Sequence, residues 1–153
     1  MSAKNMMING FLSDLAVMNV KIHNLHWNVV GMEFTAVHKM TEKIYELMAD
    51  QFDEVAEVMK MKNLIPFARM ADYLDNSVIS EIESRPYQTD EVIAILEKDW
   101  KALIERAKKL REEAAKKDDF LVANLMDDYL RIYAKKAWMI SAMLEDEPKD
   151  FEE

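Results

Sequence analysis

Turn-forming residues are almost missing from this chain: two glycines and three prolines occur in 153 residues. A sandwich or a barrel needs many turns, and turns draw on those residues. Their scarcity predicts long helices. Half of the residues are hydrophobic and 32% are charged, enough apolar material for a packed core and too much for general disorder. One all-α domain over residues 1–153 is the expected organisation.

Helical periodicity supports that expectation. Leu12, Leu15, Ile22, Leu25 and Val29 recur at helical spacings, with Asp14 and Lys21 off the stripe, and predict a first helix over about 4–30, stopped near Gly31. Val37, Ile44, Met48, Val55 and Met59 share one face of a second helix over about 34–62, which ends before Ile65-Pro66. The segment 63–88 is a long connection in which Phe67, Met70, Tyr73, Leu74, Val78 and Ile79 can form a short helix. Such a crossover joins parallel helices, whereas antiparallel neighbours need only a short loop. Thr89 is read as the cap of a third helix carrying Val92, Leu96, Leu103, Ala107 and Leu110, with Asp90 and Glu91 suited to its positive end. Lys116-Lys117-Asp118-Asp119 reads as a break. A fourth helix follows over about 119–144, with Val122, Leu125, Met126, Tyr129, Tyr133, Ile140 and Met143. The acidic tail beyond about 145 is expected to fray. Together these elements predict a four-helix bundle with a short helix in the long crossover between helices 2 and 3.

Several function classes are excluded or disfavoured. With no cysteine, a disulfide framework, a thiolate zinc site, an iron–sulfur cluster and a cysteine nucleophile are ruled out. A metal would be held by histidine, carboxylates, carbonyls or water. The net charge of −9 disfavours nucleic acid as a nonspecific partner and suits cations. The N-terminus does not read as a signal peptide, and no run approaches 18 apolar residues, so a cytoplasmic location is expected.

The chemistry-bearing residues are few. The histidines are His23, His26 and His38, and a lone histidine is usually structural or solvated, which is the reading for His23. With Val37 at 0° on the helical wheel, Glu42, Asp53 and Glu57 fall at about 140°, 160° and 200°, and His38 at about 100°. Asp53 and Glu57 are i,i+4 neighbours able to offer oxygens to metal ions. Glu46 and Asp50 lie near the same stripe, so periodicity alone also fits the wet face of an amphipathic helix. No Glu-x-x-His motif occurs, the element that di-iron bundles project into their own core. If these ligands meet a common ion, they meet outside the subunit core, at an interface completed by another copy.

Further motifs make the chain recognisable. His26-Trp27-Asn28-Val29-Val30-Gly31, then Phe34, His38, Tyr45, Asp53-Glu54-Val55-Ala56-Glu57 and Pro66 resemble the signature of the Dps family, the dodecameric mini-ferritins. Lys136-Ala137-Trp138-Met139 loosely resembles that family's motif in the last helix. The resemblance implies a ferritin-like bundle assembled from two-fold dimers into a hollow shell of twelve. It implies ferroxidase activity: Fe(II) oxidised, preferably by hydrogen peroxide, and stored as ferric mineral. Carried over, His26 and His38 of one subunit bind iron with Asp53 and Glu57 of its two-fold mate, with Glu42 as auxiliary ligand or water anchor. Trp27 matches the aromatic beside the site, as a redox-active residue or as interface packing.

Some positions depart from the family pattern. Val58 follows Ala56-Glu57 where the family has arginine, and no glycine precedes Pro66. Asp118, Asp119, Asp127 and Asp128 are candidates for lining three-fold pores, with helix capping the competing role for Asp118 and Asp119. Leu121 and Asn124 stand where acids are common. Many relatives bind DNA through a lysine-rich N-terminal tail. Residues 1–21 here hold only Lys4 and Lys21 against Asp14, and the basic stretch 101–117 alternates in sign as a solvated helix face does. DNA binding is therefore not expected. The alternative reading is a nucleoid-associated, DNA-protecting structural protein with little ferroxidase activity.

Overall fold

The computed structural model describes residues 3–145, so the tail from 146 onward lies outside the described residues. Four long helices form the bundle: α1 (Ala3–Asn28), α2 (Phe34–Met61), α4 (Thr89–Lys116) and α5 (Phe120–Ala142). A short helix, α3 (Met70–Asn76), lies in the crossover between α2 and α4, as expected. α1 packs against α2 and α4 against α5, two hairpins joined by the long connection.

The first helix ends two residues earlier than its periodicity predicts. Val29-Val30 leave helical space as β1 and pair in parallel with β2, Tyr87-Gln88, in the register Val29 with Tyr87 and Val30 with Gln88. Both valines are β-branched and suit extended backbone. The ladder ties the end of α1 to the start of α4. Gly31 follows at φ 127°, a conformation that excludes other residues without strain, and turns the chain into α2.

Two other helix ends are set by residues in left-handed conformation. Asn63 has φ 55°, and Leu64 N–H bonds the Met59 carbonyl at 2.9 Å, so α2 closes in a Schellman turn three residues before Pro66. The same turn closes α4: Asp118 has φ 53° and Asp119 N–H bonds the Ala114 carbonyl at 2.9 Å. The expected break is therefore a helix C-terminus built on Asp118. At the other end of α4 the cap is Gln88 rather than Thr89, which is already helical. The Glu91 carboxylate accepts from Gln88 N–H at 3.0 Å, half of a capping box.

The predicted apolar stripes of α1, α2 and α4 are buried throughout. On α5, Met143 is exposed and Leu125 only half-buried. Asp14 and Lys21, placed off the stripe by periodicity, are buried as well. The reason is that α1 is covered on more than one side. Asp14 accepts from Ser77 Oγ at 2.9 Å, Val78 N–H at 2.8 Å and Arg106 Nε at 2.8 Å, pinning the crossover and α4 to α1. Lys21 pairs with Asp99 of α4 at 2.6 Å. Neither polar group would be tolerated inside without such partners.

Candidate metal centre

The site begins where α1 and α2 lie side by side. His26, in the last turn of α1, is 6% exposed, more buried than a wet-face ligand would be. His38, in the second turn of α2, is half-buried. Each ring donates to the other's backbone: His26 Nδ1 to the His38 carbonyl at 2.8 Å, and His38 Nδ1 to the His26 carbonyl at 2.9 Å. The rings stack with centroids 3.7 Å apart and planes 16° from parallel.

That reciprocity decides the chemistry. A carbonyl oxygen only accepts, so both Nδ1 atoms carry hydrogen. In neutral imidazoles the lone pair is then at Nε2 on both rings, the form in which histidine binds a metal. Thr41 completes the arrangement. Its Oγ1 lies 3.1 Å from His26 Nδ1 and donates within its own helix toward the carbonyls of Val37 and His38, 2.9 Å from each. Thr41 is fully buried and is absent from the residues singled out by sequence. Its one visible signal is a hydroxyl at about 40° on the wheel, inside the apolar stripe, one turn after His38.

Aromatic rings enclose the pair. Phe34 stacks on His38 at 4.9 Å, and Tyr45 sets its edge against His26 at 5.2 Å. Tyr45 also stacks on His23 at 3.8 Å, and His23 Nδ1 donates to the Asn19 carbonyl at 2.7 Å. His23 is thus half-buried packing beside the pair rather than a solvated residue. Burial, then the charges of Glu42 and Glu46, raise the Tyr45 phenol above its ordinary value, so it stays neutral near pH 7. Trp27 is 70% exposed, with its ring 5.3 Å from His23.

The carboxylates stand elsewhere. Glu42, Asp53 and Glu57 are exposed on the outer face of α2. Asp53 is fifteen residues beyond His38 on one continuous helix, which separates them by about 22 Å along its axis. No three histidine, aspartate or glutamate side chains converge to hold a metal among the described residues. Between the two acids, Glu54 turns toward the bundle and accepts from Tyr129 Oη at 2.5 Å.

The four aspartates considered for pores have local roles. Asp118 forms the left-handed turn after α4. Asp119 is buried and paired with Lys62 at 2.7 Å, joining the end of α2 to the start of α5. Asp127 pairs with Arg111 at 2.9 Å and Asp128 with Arg131 at 2.6 Å.

The chain as a whole resembles known proteins in sequence and in fold. A family model described as a ferritin-like domain matches residues 7–149. The DNA protection during starvation protein of Helicobacter pylori is 33% identical over 132 residues, covering 86% of this chain and 92% of that protein. Antigen TpF1 of Treponema pallidum has a crystal structure that superposes with TM-score 0.91 at 30% identity, covering 94% of this chain and 92% of that one. The X-ray structure of Dps from Listeria monocytogenes gives TM-score 0.89 at 25% identity, covering 94% of each chain.

Proposed function

Since the chain belongs to the ferritin-like Dps family, we propose that it oxidises and stores iron at sites each completed by two copies of itself. The observation that carries this reading is the reciprocal histidine pair: two imidazoles held with Nδ1 protonated and Nε2 left for a metal. The separation of about 22 Å from Asp53 supports a shared site, because one subunit's halves cannot reach one ion. A two-fold mate running antiparallel can bring them together. If His38 faces the region between the mate's Asp53 and Glu57, the dyad crosses α2 near Glu46 and Leu47.

Iron(II) is the substrate. Imidazoles and carboxylates suit it, and carboxylates favour the harder iron(III) product. Two iron(II) ions each give one electron to hydrogen peroxide, which takes up two protons and leaves as two waters. His26 and His38 of one copy bind iron with Asp53 and Glu57 of the mate, Glu42 anchors a water or further ion, and Trp27 covers the rim. The ferric product is stored inside a closed shell in the cytoplasm. The test is iron(II) oxidation followed by ferric absorbance, with peroxide and with dioxygen in separate runs. His26→Ala, His38→Ala, Asp53→Ala and Glu57→Ala should each slow the peroxide reaction. Unchanged rates in all four would remove the assignment.

The name of the Helicobacter pylori relative favours a second reading, DNA protection. The charge distribution supports it poorly. Of the seven basic residues in 101–117, all but Lys109 are ion-paired among the described residues. Lys21 is buried against Asp99.

A further inference from the structure

Among the described residues most lysines and arginines pair with a carboxylate, and of those that do not, three lie together. Lys39 and Lys43, one turn apart on α2, and Lys136 on α5 line a single pocket of about 290 Å³. None of the three forms an ion pair within 4 Å among the described residues. Lys136 is half-buried, its stem lying along the pocket wall between α2 and α5. Two like charges at i,i+4 repel on a helix surface, and the third from α5 adds to the repulsion. Methyl and thioether groups of Ala36, Met40 and Met139 line the rest of the pocket. They offer no acceptor to an ammonium and lower the local dielectric, which strengthens attraction for an anion.

We propose that this pocket is a binding site for phosphate, separate from the histidine–carboxylate site and independent of its role. A tetrahedral phosphate presents several acceptor oxygens to the ammonium donors of the three lysines that line the pocket, each bond charge-assisted. The pocket has room for it, and within one subunit no described carboxylate lies within ion-pair reach of the three lysines. Such an anion has two sources, free inorganic phosphate and the backbone of a nucleic acid. A concave pocket between two helices suits the free ion.

The experiment is calorimetric titration of the metal-free assembled protein with orthophosphate at fixed ionic strength, with sulfate and a short DNA duplex as parallel arms. Orthophosphate should bind saturably at one per subunit, and sulfate, a tetrahedral dianion at neutral pH, should compete for the same site. Lys136→Gln should weaken binding by about tenfold, since one charge-assisted bond is lost. The triple variant Lys39→Gln, Lys43→Gln, Lys136→Gln should abolish it, while His26→Ala leaves it intact. If the triple variant fails to assemble, the exposed Lys43→Gln is measured alone and should also weaken binding. The proposal is overturned by no saturable binding, by binding unchanged in the lysine variants, or by equal displacement with added chloride. Binding of the duplex through these lysines with free phosphate inert would overturn it too.

Discussion

A mixture of two inactive variants should oxidise iron. One variant carries His26→Ala and His38→Ala; the other carries Asp53→Ala and Glu57→Ala. Each has one damaged half of every shared site, so each alone should show only background peroxide-driven oxidation. After unfolding and joint reassembly at equal amounts, a site is intact when its histidines come from the carboxylate variant and its acids from the histidine variant. Random pairing meets both conditions in about one quarter of sites. Mixed assemblies should therefore recover about a quarter of the wild-type initial rate. The distance along α2 makes the test sharp, because about 22 Å between His38 and Asp53 prevents one subunit from rescuing itself. Stopped-flow ferric absorbance supplies the rate, and native mass of isotope-labelled subunits confirms mixing. Confirmed mixing with no recovery would refute the shared site.

Three further outcomes follow from other contacts. Lys21→Met leaves Asp99 buried without its cation and should cost about 3–5 kcal/mol in thermal or urea unfolding, with much of it regained in Lys21→Met, Asp99→Leu; a loss below about 1 kcal/mol would mean that water reaches the pair. Asp118→Gly relieves a left-handed aspartate and should raise stability by about 0.5–1 kcal/mol, whereas destabilisation would show that its side chain anchors the turn. Duplex DNA should not shift in gels at moderate salt and neutral pH, because the chain carries a net charge of −9 and six of the seven basic residues in 101–117 already hold a carboxylate partner; a tight complex would show that repetition around an assembly outweighs that pairing.

Much of this architecture could be read from spacing alone. The stripes of α1, α2 and α4 have a period of 3.6, and burial follows them residue by residue. Asp14 and Lys21 escaped because a wheel describes one buried face, while α1 is covered by α2, the crossover and α4 together. The β ladder escaped because two residues are too few to show an alternating pattern, and Val29-Val30 gain their pairing from Tyr87-Gln88, far along the chain. At the site, His26 and His38 were visible as types at a telling spacing. Their crossed bonds were not, because a backbone carbonyl leaves no mark in a sequence. Thr41 was hidden for a related reason: inside an apolar stripe it reads as a tolerated small residue until its contact with His26 is seen.

The crossed imidazole bonds make the shared orientation of the two rings a property of the closed hairpin rather than of its histidines. In an open chain each neutral ring exchanges its proton between the two nitrogens, and nothing holds it on Nδ1 of both. Only when α1 and α2 reach the correct axial offset do two carbonyls meet two Nδ1 protons. A slip of a single residue, about 1.5 Å of rise, would part both bonds together. A chain still being made, or one that has folded out of register, owns the same pair of side chains without the poised nitrogens. On the proposed function, the clasp readies both nitrogens for iron only in chains whose α1 and α2 have closed in register.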